Sequence, residues 1–196
     1  MSNDGANNSR RRFLVGATSV VGAAGAVGAA IPFVGSWMPS AKAKAAGAPA
    51  KADISKLQPG QQMTIEWRGK PVWVIRRTEE VLANIDKQND RVRDPESNES
   101  NQPEYAKNAY RSVRPEYLVL TGICTHLGCS PKYHPEVEAM SFEENWMGGF
   151  FCPCHGSKFD LAGRVFQGVP APTNLDVPPH SYDGDMITIG VDGETA

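Results

Sequence analysis

From Phe13 to Ala41 the chain carries no charged side chain, and the run FLVGATSVVGAAGAVGAAIPFVGSWM is apolar or small on every face. A helix needs about 20 such residues to cross a bilayer, so the pattern predicts one transmembrane helix over 13–38. Pro32 is expected to kink or end it, and Trp37 to sit at the far interface. The stretch exceeds the roughly 7–15 apolar residues of a cleavable signal, so an uncleaved anchor is expected. Small residues around Ala41, Ala43 and Ala45 are the feature that favours cleavage instead. Residues 39–51, PSAKAKAAGAPAK, have no bulky apolar side chain with which to fix themselves in a core, and predict a flexible linker. Ala and Lys there allow transient helix, which Gly47 and Pro49 discourage.

Beyond the linker the period changes. Met63–Trp67 and Val72–Ile75 are strand-like and flank the turn Arg68-Gly69-Lys70-Pro71, which predicts a hairpin. Glu79–Ile85 predicts a short helix. Residues 86–115 are polar and predict a surface excursion with a helical turn near Tyr105–Tyr110. Tyr117–Leu120 reads as a buried strand and Phe150-Phe151 as the lead into another. Lys158-Phe159 and Val165-Phe166 bracket a tight turn at Asp160-Leu-Ala-Gly163, and Met186–Ile189 reads as a closing strand. Short strands at close spacing point to a mostly β, antiparallel domain.

Charge sharpens this division. Of the 20 Lys and Arg, six lie in residues 1–51 against Asp4 alone, which leaves 14 basic against 21 acidic side chains in the body. A basic leader on an acidic body argues against nucleic acid as a partner and fits a membrane-proximal N-terminus. Arg10, Arg11 and Arg12 before the apolar run favour a cytoplasmic N-terminus.

All four cysteines and two of the four histidines fall in two boxes, Cys124-Thr-His126-Leu-Gly-Cys129 and Cys152-Pro-Cys154-His155-Gly-Ser157. Such a set admits several metals. Zinc takes two Cys and two His in a tetrahedral shell, but its fingers pair like residues, whereas each box here opens a Cys-plus-His mixture. Haem attachment by C-x-x-C-H fails, because one residue separates Cys152 from Cys154, and no C-x-x-C is present.

The boxes resemble those of the Rieske iron–sulfur proteins of cytochrome bc complexes, residue by residue. The likeness continues through Gly156-Ser157-x-Phe159-Asp160 and the loop Gly168-Val169-Pro170-Ala171-Pro172. Ser9-Arg10-Arg11-Arg12-Phe13-Leu14 also resembles a twin-arginine export signal. The resemblance implies a cytoplasmic segment over 1–12, an anchor over 13–38, a hinge over 39–51 and a Rieske domain with a cluster-binding subdomain over 52–196. It implies a [2Fe-2S] cluster in which Cys124 and Cys152 hold one iron, and His126 and His155 the other. Cys129 and Cys154 would form a disulfide, Ser157 would donate to a bridging sulfide, and Leu127 with His155 would contact the quinol site. His126 and His155 would be the catalytic groups, taking up a proton as the electron arrives.

The implied activity is that of a quinol–cytochrome c reductase subunit, reduced by ubiquinol and oxidised by a c-type cytochrome. Its partners would be cytochrome b and cytochrome c subunits in a dimeric complex of the bacterial inner membrane, with the head on the periplasmic side. The family often carries Tyr where this chain has Phe159, so a lower potential than that of Tyr-bearing relatives is expected. A Rieske ferredoxin or oxygenase domain fits less well, because those generally lack the second cysteine pair and the anchor. The Rieske subunit of a periplasmic molybdenum oxidase of the arsenite-oxidase type is the alternative. His134 and His180 are expected to be surface or packing residues, and Glu136, Glu138, Glu143 and Glu144 a solvated loop.

Overall fold

The structure, a computed structural model, describes residues 7–192. They divide into two compact units at Ala45/Ala46. In the first, α1 spans Asn8–Ser36. It opens on Asn7, whose side-chain oxygen accepts from the Ser9 and Arg10 amides at 3.1 and 3.3 Å, two of the donors that a helix start leaves free. Its 29 residues extend about 43 Å at 1.5 Å each, enough to cross a hydrocarbon core of about 30 Å. The helix thus begins five residues before the expected anchor and takes in all three arginines. Pro32 does not end it; the helix continues to Ser36. A short α2, Ala41–Ala46, follows inside the expected linker, with Ser40 Oγ accepting the Ala43 amide at 3.1 Å.

The second unit starts at β1, Ala50–Asp53, so the last two residues of the expected linker already belong to a strand. The hairpin forms as the pattern predicts, from β2 (Gln62–Trp67) and β3 (Lys70–Arg76). Helix α3 covers Glu79–Ile85, capped by Thr78 through the Val81 amide. Then come β4 (Tyr117–Thr121), β5 (Lys132–His134), β6 (Gly149–Cys152), β7 (Ser157–Phe159), β8 (His180–Asp183) and β9 (Met186–Ile189). They make three antiparallel sheets, β1-β9-β8, β2-β3-β4 and β5-β6-β7.

The middle sheet divides the interior. Alternate residues of a strand face opposite sides, so Val72, Val74, Tyr117 and Val119 pack with Ile54, Leu57, Ile187 and Ile189 towards the first sheet. Trp73, Ile75, Leu118 and Leu120 face the other way, into a core with Cys124, Phe150, Cys152, Phe159 and Val165. Trp73 stacks on Phe150 with centroids 5.6 Å apart and planes 6° from parallel. The metal boxes are therefore rooted in the same core that supports the central hairpin.

Residues 86–115 are not the surface excursion that their polarity predicts. Gln88, Val92, Asp94, Ser97, Ala106, Arg111 and Ser112 are buried. Single 3-10 turns form at Asp86–Gln88 and Glu104–Ala106. The polar side chains go inside because they meet backbone far along the chain: Gln88 donates to the Gly148 carbonyl and Arg111 to those of Ala162 and Gly163. The acidic loop is also partly anchored. Trp146 is buried within it, and Glu143 accepts from Lys158 at 2.7 Å and lies 3.5 Å from Arg91, while Glu136, Glu138 and Glu144 are exposed.

Candidate metal centre

The first box follows β4 and the second is the turn between β6 and β7. Each doubles back on itself. The Cys124 amide donates to the Cys129 carbonyl at 2.7 Å and Gly128 donates to the Cys124 carbonyl at 3.0 Å. In the second box Gly156 donates to the Cys152 carbonyl at 3.0 Å. Both reversals use a left-handed residue, Gly128 at φ 85° and Gly156 at φ 77°, a conformation with a steric cost for any side chain bearing Cβ.

These turns sort the six candidate ligands by depth. Cys124 and Cys152 are buried and free of disulfide. His126 is half-buried and His155 exposed, with ring centroids 4.7 Å apart and planes at 89°. Cys129 and Cys154 are joined in a disulfide, with Cα atoms 6.7 Å apart. That bond ties the two boxes together and packs against Cys152, whose sulfur lies within 4.8 Å of both disulfide sulfurs. Leu127 stands on the rim with 72% of its surface exposed.

Burial pushes the Cys124 thiol up, and the neighbouring His126 amide and Ser157 hydroxyl oppose that shift. Ser157 is fully buried, and its Oγ accepts the Ala171 amide at 3.0 Å. Thr125 Oγ1 donates to the Thr173 carbonyl at 2.7 Å. The loop through Ala171 and Thr173 is thus fastened to both boxes.

Four sulfur and nitrogen donors, two deep and two at the rim, fit a two-metal cluster ligated unequally at its two ends. Phe159 occupies its place in the core fully buried, with no polar atom to offer a sulfur. His134 and His180 stand apart from the boxes as packing residues. The His134 ring lies 5.5 Å from Phe142, and His180 is buried between Tyr105 and Tyr182.

Sequence reasoning missed the polar framework behind the boxes. Asp160 and Arg164 are fully buried and paired at 2.7 Å. Arg111 is fully buried against neutral partners, Ser97 Oγ at 2.7 Å and Gln102 Oε1 at 3.0 Å among them. Burial pulls its guanidinium down to about 10. Asp160 and Arg164 are only four residues apart, but their burial depends on distant segments: Arg164 also donates to Asn89, Pro95 and Ile85, and Arg111 to Ala162 and Gly163.

Loops, ligand types and disulfide together define a class: an electron-carrying metalloprotein head on a chain with one apolar helix long enough to anchor it in a membrane. The chain belongs to the Rieske [2Fe-2S] domain family, whose model matches residues 49–179, and its cofactor is a [2Fe-2S] cluster. A second model, the ubiquinol-cytochrome c reductase Fe-S subunit TAT signal, matches residues 1–40 and bears out the twin-arginine reading. The chain is 57% identical to the ubiquinol-cytochrome c reductase iron-sulfur subunit of Allochromatium vinosum, over 100% of this chain and 95% of that one. It is 42% identical to the subunit of the same name from Blastochloris viridis, over 96% and 97%. It is 36% identical to the mitochondrial cytochrome b-c1 complex subunit Rieske of Schizosaccharomyces pombe, over 90% and 69%.

Proposed function

We propose that this chain is the iron–sulfur subunit of a bacterial quinol–cytochrome c reductase, and that Cys124, Cys152, His126 and His155 hold its cluster. The observation that carries the reading is the meeting of two buried free thiols and two rim imidazoles on loops joined by the Cys129–Cys154 bond. When bound, the cluster supplies one-electron redox chemistry at a potential well above that of four-cysteine clusters. The chain's residues do the rest. Cys124 and Cys152 keep the inner end dry, within a core of Phe150, Phe159 and Leu120. His155, exposed at the rim, presents a ring nitrogen that accepts a hydrogen bond from a quinol hydroxyl and takes its proton. Leu127 beside it offers an apolar contact to the protein that forms the quinol site. Ser157, fully buried beside the second box, would donate its hydroxyl to a bridging sulfide, where extra negative charge is stabilised.

In this assembly the head works on the periplasmic face, tethered by α1 in the inner membrane, between cytochrome b and a c-type cytochrome of a dimeric complex. The domain limits of 13–38, 39–51 and 52–196 serve as anchor, hinge and head, with the first strand of the head reaching back to Ala50. The molybdenum-oxidase alternative is set aside, because the full-length relatives are subunits of ubiquinol–cytochrome c reductases and the cytochrome b-c1 complex.

Purifying the tagged chain from its native membranes tests this directly. Haem b and haem c should copurify. Low-temperature EPR of the reduced complex, with histidine carrying nitrogen-15, should show two nitrogen couplings, lost one at a time in His126→Cys and His155→Cys. Recovery with a molybdopterin subunit, or a chain holding zinc, would overturn the proposal.

A further inference from the structure

Residues 90–94 form a clamp between two loops. Val92 bridges to Phe166, and the Arg93 amide donates to the Val165 carbonyl at 2.9 Å, so the segment lies antiparallel along residues 165–167. Alternate side chains then diverge as in a strand. Val92 is buried with Trp146 and Phe166. Arg91 donates to the Asn145 carbonyl at 2.9 Å, holding the acidic loop. Arg93 is exposed and donates through Nη1 to the Pro172 carbonyl at 2.7 Å, holding the loop that carries Ala171.

The Pro172 carbonyl is one residue from the amide that matters. Ala171 N–H donates to Ser157 Oγ at 3.0 Å in a fully buried setting. A hydroxyl that accepts on oxygen at this point keeps its own hydrogen free for another acceptor, and Cys124 is the buried neighbour whose thiol it influences. We infer that Arg93 is a positioning residue for the redox centre: by pinning Pro172 it holds Ala171 N–H on Ser157 and so keeps the Ser157 hydroxyl aimed at the cluster sulfurs. The Arg93 bond acts by position, since the Pro172 carbonyl and the Ala171 amide belong to different peptide groups, while the amide-to-hydroxyl bond polarises the hydroxyl and so favours whichever state carries more negative charge on sulfur. It therefore raises the midpoint potential. This inference rests on the cluster assignment above.

The test uses the full chain in its complex, with EPR-monitored redox titration and hydrogen exchange followed by mass spectrometry. Arg93→Gln should lower the midpoint and speed exchange of the Ala171 amide about tenfold, the factor expected for loss of one hydrogen bond's worth of protection. Arg93→Lys, which keeps a donor, should recover part of both. Arg91→Gln removes the same charge two residues away but touches the other loop, and should leave the midpoint in place. An unchanged midpoint in Arg93→Gln, an Ala171 amide that exchanges as in the wild type, or an equal midpoint shift in Arg91→Gln each overturns the inference. If Arg93→Gln loses its cluster, the exchange measurement still decides. Failure of the cluster assignment itself shows separately, as a wild-type chain without the iron–sulfur EPR signal.

Discussion

Asp160→Asn is a change of one atom, yet its cost should be among the largest for any conservative substitution in the head. Asp160 and Arg164 have no exposed surface. One carboxylate oxygen accepts the Ala162 and Arg164 amides at 2.9 and 2.7 Å. The other accepts Arg164 Nε at 2.7 Å, and the guanidinium completes itself on Asn89, Pro95 and Ile85 at 2.8 to 2.9 Å. Replacing the carboxylate by an amide removes the negative charge paired with Arg164, and puts an NH₂ against a donor. Breaking one half of a buried, hydrogen-bonded ion pair costs about 3–5 kcal/mol. The unit that carries it, Ala46–Ala196, is of a size where each kcal/mol moves the melting temperature by about 2–4 °C. The expected drop is therefore roughly 6–20 °C. Circular dichroism melts of the cluster-loaded full chain in detergent measure it, with Arg164→Met and the double variant completing a cycle. A melting temperature within about 2 °C of wild type would refute the reasoning, as would single losses that simply add in the double variant.

Two further outcomes follow from buried aromatic and imidazole rings. Phe159→Tyr should raise the midpoint in a redox titration; a hydrogen bond worth about 1.4 kcal/mol more to the reduced state corresponds to roughly 60 mV for one electron, and an unmoved or lower midpoint contradicts it. His180 Nδ1 donates to the Pro178 carbonyl at 2.9 Å, Nε2 is buried without a partner, and burial holds the ring below its ordinary 6.5. Above 6.5 the ring is neutral whether the chain is folded or not. Below it the unfolded chain takes a proton that the folded chain refuses, so stability falls as pH drops from 6.5 towards the depressed value. Urea midpoints at pH 7.5 and 5 should differ less in His180→Asn than in wild type, and equal differences would show that His180 does not contribute.

The parts of the fold that could be read in the sequence are those with a local signal. β2 alternates, β3 and β4 are apolar runs, α3 has its Thr78 cap, and the boxes carry their own spacing. The strands that were missed, AKAD, KYH and HSYD, are short and polar, and exist because β9 and β6 offer them a ladder. The interior role of residues 86–115 was hidden for a different reason. Arg111, Ser97 and Gln88 look like solvent-facing residues until carbonyls more than 50 positions away are folded against two of them. In the centre itself, the resemblance of the boxes implied the Cys129–Cys154 pair that the structure shows. The fastening of Ser157 to Ala171, and of Pro172 to Arg93, could not be read there, since each joins segments with no shared pattern.

The register of β1 on β9 sets Ala50 opposite Ile189. The first and last strands of this unit are neighbours, and the chain enters the unit there. A pull on the chain before Ala50 would load a sheet that shares its apolar face with one side of β3 and β4, whereas the boxes draw on the opposite side. The four-residue ladder of β1 on β9 would part first, a mechanical fuse for the core that holds Trp73, Phe150 and the boxes.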